Sequence, residues 1–422
     1  MILYRWLLAL KQPSNRLWVT PALWAIGVVC FIFATRLVGA WWIPHDTLPE
    51  IEQATLEGLL DVIASSMLAV TTFSLSIMVS AFASASGGAT PRATELVMGD
   101  DNTRTAITSF LSSFIYAIIA RTALGMDFYG QNELFLLFVS TVAVFVYLIV
   151  TLIRWVYTLS QLGRMGNTID KILSATKTSV ANYFANPQLG TAWRGACSNR
   201  AKLVKAGYSG YLTHINMASL QAKAEEADIH IHILVRPGEL VMEDTPLMMV
   251  EGNGDTDTLN QCFIFGTTRS YAQDPNWGFI VLSEVAQRAL SPAVNDPGTA
   301  ISVMTGMMDL LIAKQPERDE EASKKYDRLS IKPEECGNWI TESFGPIARD
   351  GANTVEVGLV MQKVLAGIWR NSGNVAISQA AAEMASIALQ RSLQEMSFAH
   401  DAERLKAKHY ALFGSECSNK DS

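Results

Sequence analysis

Apolar positions crowd into the first part of this chain. Four long apolar segments lie between residues 19 and 157, and the remainder mixes apolar and polar positions as water-soluble folds do. A helix of about 20 apolar residues crosses a bilayer core. The pattern therefore predicts four spans, Val19–Val38, Leu59–Phe82, Ile107–Leu124 and Leu134–Tyr157. Trp18, Trp24, Trp41 and Trp42 flank the first span, where indole rings suit the headgroup level. Residues 2–11 (ILYRWLLALK) read as an amphipathic helix lying in the interface. Lys and Arg mark the cytoplasmic side. Arg5, Lys11 and Arg16 precede span one, Arg92 and Arg104 separate spans two and three, and Arg154, Arg164, Lys171 and Lys177 lie at or beyond the end of span four. The loop between spans one and two holds only Asp46, Glu50, Glu52 and Glu57. Both termini are placed inside.

Span two is unusually polar. At 100° per residue, Asp61, Ser65, Thr72 and Ser76 fall within an arc of about 60°, with Ser80 close by. One reading is a hydroxyl-lined pathway with Asp61 attracting cations near the outer mouth. The other is close helix packing, which small hydroxyl residues also favour. Span three opens with a similar cluster, Thr105, Thr108, Ser109, Ser112 and Ser113, which suggests that the two helices face each other. After span two, SASGGATPR breaks the helix at Gly87 and Gly88, and Pro91 favours extended geometry at Thr90. Gly87, Gly88, Pro91 and Arg92 form either a gate hinge or a plain loop.

Residues 158–186 read as a helix continuing from span four, with Ile169, Ile172, Leu173, Thr176 and Val180 at helical spacing. Residues 203–252 change character. LVKAGYSGYLTHI gives two strands, LQAKAEEA a short helix, DIHIHILV an alternating strand, RPGEL a turn and TPLMMVEG a last strand. That order is similar to the small β-barrel of biotinyl and lipoyl carrier domains. No lysine matches the modified one, so the likeness implies a structural module. His230 and His232, two apart on one strand, are too few ligands for a metal site. From Thr258 the chain is mostly helical, with helices near 339–350, 352–370, 374–397 and 399–412 and a charged linker QPERDEEASKK after Lys314.

Within the helical part, one helix stops at Ser291-Pro292 and the next starts at Asp296-Pro297, where Asp caps and Pro fits the first turn. SPAVNDP is then a tight corner. It is also a candidate small-ligand or ion site, with Arg269, Asp274, Arg288, Ser291, Asn295 and Asp296 converging on it. RALSPAVNDPGTA, preceded by RSYAQDPNWG, resembles the signature of a bacterial membrane-protein family known as domain of unknown function 2254. The resemblance extends to the four spans, the Ser/Thr-rich second span, the SPR-like turn at Thr90, Pro91 and Arg92, the PGE segment and the helical tail. Thr90 stands where Ser is expected. The likeness implies a bacterial inner-membrane protein and no particular activity.

Composition narrows the classes. The mean hydropathy is +0.19, with 17% charged residues and a formal charge of −7. No basic stripe exists, which argues against nucleic acid as a partner. Cys30, Cys197, Cys262, Cys336 and Cys417 are scattered, with no CxxC spacing, and read as reduced thiols. No nucleotide-binding glycine motif and no hydrolase or zinc-protease signature occurs, so an enzyme has no support, and no cofactor or metal is expected. The fold class expected is membrane α-helical, with four transmembrane helices and a cytoplasmic α+β region made of a small β-barrel-like module and a helical bundle. The expected domains are a transmembrane domain over 1–160, a connecting helix over 161–202, the β module over 203–256, a helical domain over 257–412 and a disordered tail over 413–422. Two functions follow. One is a homo-oligomeric inner-membrane channel, with ions passing along span two and the cytoplasmic domain gating. The other is a membrane-tethered sensor or scaffold that binds a small ligand or a partner protein. The expected partners are membrane lipids, further copies of the chain, and an ion or small molecule.

Overall fold

The computed structural model describes residues 23–31, 34, 49–88, 90–98, 101–126, 129–161, 163–195, 197–198, 201–252, 256–314 and 324–414. The chain forms two compact bodies, Met1–Thr168 and Ile169–Ser422.

In the first body, residues 23–31 are helical and are followed by α1 (Gln53–Gly88), α2 (Pro91–Met98), α3 (Asp101–Gly125) and α4 (Gln131–Gln161). Among the described residues three stretches are long and apolar enough to cross a membrane: Gln53–Ala83, Thr103–Gly125 and Asn132–Gln161. They contain the expected spans two, three and four. The expected first span is described only at residues 23–31 and 34, and the interfacial helix of residues 2–11 lies outside the described residues. α3 is the central helix, packed on both α1 and α4. More than half of its apolar window is buried, against less than a fifth for α1 and α4. Leu56, Leu60, Ile63 and Met67 of α1 meet Phe110, Ala117 and Leu124 of α3 in one apolar cluster. Lipid supplies little hydrophobic drive between helices, so close packing and cross-helix hydrogen bonds join them. Trp155 Nε1 donates to Ser74 Oγ at 2.7 Å, tying α4 to α1. The Tyr116 hydroxyl bonds Ser140 Oγ at 2.9 Å and Thr141 Oγ1 at 3.0 Å, tying α3 to α4.

The continuous helix expected beyond span four is two helices, since α4 stops at Gln161 and α5 (Met165–Ala185) starts afresh. The β module contains β1 (Lys202–Lys205), β2 (Gly210–Ile215), α6 (Met217–Glu226), β3 (His230–Ile233), β4 (Leu240–Val241) and β5 (Pro246–Glu251). After α7 (Thr256–Asn260) comes β6 (Phe263–Gly266), and β7 (Leu329–Ile331) arrives much later. β4, α7, β6 and β7 are additions to the expected list, β4 starting at the leucine expected to end the RPGEL turn. The strands make two sheets rather than one closed barrel: β1-β5-β3-β7 and β4-β2-β6. β3 pairs antiparallel with β5 and parallel with β7. Alternation places Ile229, Ile231 and Ile233 inward, fully buried in a core shared by both sheets.

The helical bundle contains α8 (Pro275–Leu290), α9 (Pro297–Ile312), α10 (Asn338–Asp350), α11 (Val355–Asn371), α12 (Val375–Glu395) and α13 (Ala399–Phe413). α8 packs on α9 and α10, and α11 packs on α9, α12 and α13. α8 and α9 open alike. Asp274 and Asp296 each cap with a side-chain oxygen, and a proline follows in the first turn. The end of the chain, residues 415–422, lies outside the described residues.

Candidate functional site

α1 turns its polar stripe outward. Asp61, Ser65, Thr72, Ser76 and Ser80 are all exposed, whereas Leu56, Leu60, Ile63, Met67 and Ser74 are buried. At 100° per residue the stripe centre lies roughly 180° round from the packed face. No other described helix of the first body covers it. Ser65 Oγ donates to Asp61 O at 2.8 Å, and Thr72 Oγ1 to Ala69 O at 2.9 Å. Their protons are satisfied within the helix and their lone pairs remain on offer. Arg121 of α3 bridges two carboxylates, Glu57 at 3.3 Å and Asp61 at 3.1 Å. Asp61 is therefore an ion-paired group, in a triad that keeps one net negative charge. The serine and threonine cluster of α3 does not face the stripe. Thr108, Ser109, Ser112 and Ser113 are buried, and Ser109 Oγ bonds Tyr147 OH of α4 at 2.7 Å.

The glycine pair ends α1. Gly87 and Gly88 form its last residues, and Pro91 opens α2 at once. Thr90 Oγ1 accepts from Ala93 N at 3.3 Å, which makes Thr90 the cap of α2. Ser and Thr cap by the same bond, so the threonine here is physically equivalent to the expected serine. Arg92 is exposed in the first turn of α2.

In the second body the six corner residues separate into two groups. α8 has 16 residues, about 24 Å of helix, and it holds Arg269 and Asp274 at one end and Ser291, Asn295 and Asp296 at the other. Arg288 lies in its last turn. The corner itself is exposed. Ser291 Oγ donates to Arg288 O at 2.7 Å, Asn295 takes a positive φ of 50°, and Asp296 accepts from Thr299 N at 3.1 Å. The Thr299 hydroxyl, donating to the carboxylate at 2.5 Å, and then the Thr299 amide hold Asp296 below the usual carboxylate range. The helix-capping account of SPAVNDP is the one this geometry supports.

Arg269 and Asp274 instead join residues that sequence reasoning passed over. Arg269 grips the Asp274 carboxylate with two bonds, 2.6 and 2.9 Å long, and lies over the Trp277 ring at 5.4 Å. The Pro237-Gly238 turn, leading out of β3, lines the same cleft. Gly238 has φ +100°, and a Cβ there would sit 2.4 Å from Asp274 Oδ2. Next to it, Arg236 is buried and points its guanidinium at Glu334 at 2.6 Å. It also donates to Lys332 O at 2.8 Å and Pro187 O at 3.0 Å. Burial pushes the Asp274 and Glu334 carboxyls up, against the pull of their arginines. The result is a cleft of about 260 Å³ between the β module and the bundle, in which five carboxylates meet three bases. Both guanidinium groups are committed to protein acceptors, so the cleft first of all fixes two parts of the body together. A glycine in the PGE turn and a charge beside the apolar ILV run were the available sequence signals.

Among the described residues no group of three or more His, Cys, Asp or Glu side chains is placed to hold a metal. His232 Nδ1 bonds Ser330 Oγ at 2.7 Å, and His230 lies against Trp193. No curated protein and no solved structure matches the chain. Residues 14–367 match the model of a family described as "Predicted membrane protein (DUF2254)". The match covers most of the sequence, and the chain belongs to that family of membrane proteins.

Proposed function

We propose that this protein is a homo-oligomeric channel of the bacterial inner membrane. Copies of α1 meet around a water-filled path, and their hydroxyl stripes line it. The second body lies on the cytoplasmic side, as the Lys and Arg distribution favours, and gates the path. The observation that carries the reading is the stripe itself: five polar side chains, Asp61 to Ser80, exposed on a bilayer-length helix and turned away from its own packed face. Polar residues in a span ordinarily face a bundle interior or a water-filled cavity, and among the described residues of one protomer nothing covers this stripe. Glu57, Asp61 and Arg121 give each copy one net negative charge at one end of the path, which favours cations by Coulomb attraction. The test is reconstitution of the purified chain in liposomes, with its mass measured in the same preparation. A closed ring that passes cations is expected. A monomer, or a ring without conductance, overturns the reading.

A second reading has its own support. The acid-rich cleft at Arg236 and Arg269 suits a small organic cation, which would make the protein a membrane-tethered sensor. Native mass spectrometry of the full chain then finds a co-purified cation that Glu342→Gln loses. Its absence from both samples removes this reading.

A further inference from the structure

A half-open cavity of about 400 Å³ lies in the first body, and none of the described residues lining it belongs to α1. Its volume is within the roughly 300–1,000 Å³ of small-molecule sites. Six hydroxyl-bearing side chains form one side: Thr108, Ser109, Ser112, Ser113 and Tyr116 of α3, and Tyr147 of α4. Trp24 and Val28, from the helical residues 23–31, and Val144 of α4 add apolar wall. Among the described residues no charged side chain lines it.

Ser112 sets this cavity apart from ordinary helix packing. A serine or threonine inside a helix can return its proton to a carbonyl one turn back. Ser109 does so to Thr105 O at 2.8 Å, Thr141 to Leu137 O at 2.7 Å and Thr151 to Tyr147 O at 2.8 Å. Ser112 is only 8% exposed, and among the described residues its Oγ has no hydrogen-bond partner. An unpaired hydroxyl away from water is unfavourable, and a ligand atom that accepts its proton relieves that cost. Depth narrows the ligand further. Ser112 comes nine residues after Thr103, where the apolar stretch begins, so it stands roughly 14 Å along a helix that crosses a core of about 30 Å. That is near mid-bilayer, where a charge is costly.

We infer that this cavity binds a neutral, membrane-soluble molecule whose head carries a carbonyl oxygen. The oxygen accepts the Ser112 proton, and the apolar part of the molecule lies against Trp24 and Val28. The head belongs either to a quinone or to a neutral glyceride, which share this chemistry. The site is independent of α1 and stands whether or not that helix lines a path.

The test uses the full chain in phosphatidylcholine nanodiscs and two photoactivatable probes, a diazirine-bearing decylquinone and a diazirine-bearing dioctanoylglycerol. Labelled peptides are mapped by mass spectrometry. At least one probe labels the α3–α4 wall saturably and is displaced by its unlabelled parent but not by equal decanoate, a charged amphiphile. The probe that labels identifies the source of the head. Ser112→Ala weakens half-saturation by roughly two- to ten-fold, the loss of one hydrogen bond. Ala143→Trp fills the cavity and abolishes labelling, and the milder Ser112→Ala carries the test where the tryptophan disturbs packing. Labelling by neither probe, labelling that never saturates, equal displacement by decanoate, or an unchanged Ser112→Ala would each overturn the assignment.

Discussion

Gly238→Ala tests how the β module is fixed to the helical bundle. The new methyl enters at 2.4 Å from Asp274 Oδ2, 2.6 Å from its Cγ and 2.9 Å from an Arg269 nitrogen. Nothing at that position can accept a carbon so close, so either the turn or the carboxylate must move. Holding alanine at φ +100° costs about 1–3 kcal/mol by itself. Displacing the carboxylate breaks at least one charged hydrogen bond to Arg269, worth about 1.5–3 kcal/mol. The two effects together amount to about 2.5–6 kcal/mol. At roughly 2–4 °C per kcal/mol for a body of this size, the melting temperature falls by roughly 5–24 °C. The control is Gly207→Ala. Gly207 has φ +71°, and a Cβ there meets nothing within 4 Å, so it carries strain without collision and its melting point falls less. The assay is thermal unfolding of the full chain in nanodiscs, read from the second body by hydrogen exchange of α8. Equal losses in the two variants would refute the claim that the PGE turn is locked against the Arg269–Asp274 pair.

Two further outcomes follow from the same body. Arg269→Met leaves Asp274 buried without its partner and costs about 3–5 kcal/mol, whereas adding Asp274→Asn, which removes the charge and keeps the cap of α8, recovers much of that loss; chemical denaturation of the single and double variants measures both, and a double variant no better than the single contradicts the pairing. Burial holds the His409 imidazole below its usual 6.5, while its Nδ1 meets Gln362 Oε1 at 2.8 Å. A lowered pKa in the folded state stabilises above about pH 6.5 and loses that contribution as pH falls through the folded value. Amide protection of residues 399–413, corrected for intrinsic exchange, therefore drops between about pH 7 and pH 5, and His409→Leu flattens the response; protection that stays constant in the unsubstituted chain rejects this linkage.

Local patterns carried a good deal of this architecture. Leu134–Tyr157 reads as an apolar span on composition alone and sits inside α4. Asp296-Pro297 marks the start of α9 to the residue, because the cap and the proline act within one turn. DIHIHILV gives β3 because one face of it is fully buried. What escaped is non-local. β7 is three residues long and pairs with a strand almost a hundred positions earlier, and so short a run has no periodicity to read. Arg236 and Glu334 are also far apart in sequence, and only folding makes them a pair. The split of the corner residues was within reach of the sequence, since a helix from Pro275 to Leu290 must hold Asp274 and Ser291 at opposite ends. The direction of the α1 stripe was not, because periodicity gives the angle between faces and leaves open which face meets α3. α1 and α3 do face each other, as their hydroxyl clusters suggested, but through apolar residues such as Leu56, Leu60 and Phe110, and the α3 hydroxyls line a cavity against α4.

The most direct test of a water-facing α1 is thiol labelling in intact membranes. Ser65→Cys, Thr72→Cys and Ser76→Cys are made singly in a cysteine-free chain, beside Leu75→Cys, which is also exposed but lies about 80° round from the centre of those three. A membrane-impermeant methanethiosulfonate is predicted to modify all three stripe positions and to leave position 75 untouched. Stripe cysteines that react no faster than the one at 75 would mean that the polar edge meets lipid or protein rather than water, and the conduction account would be wrong.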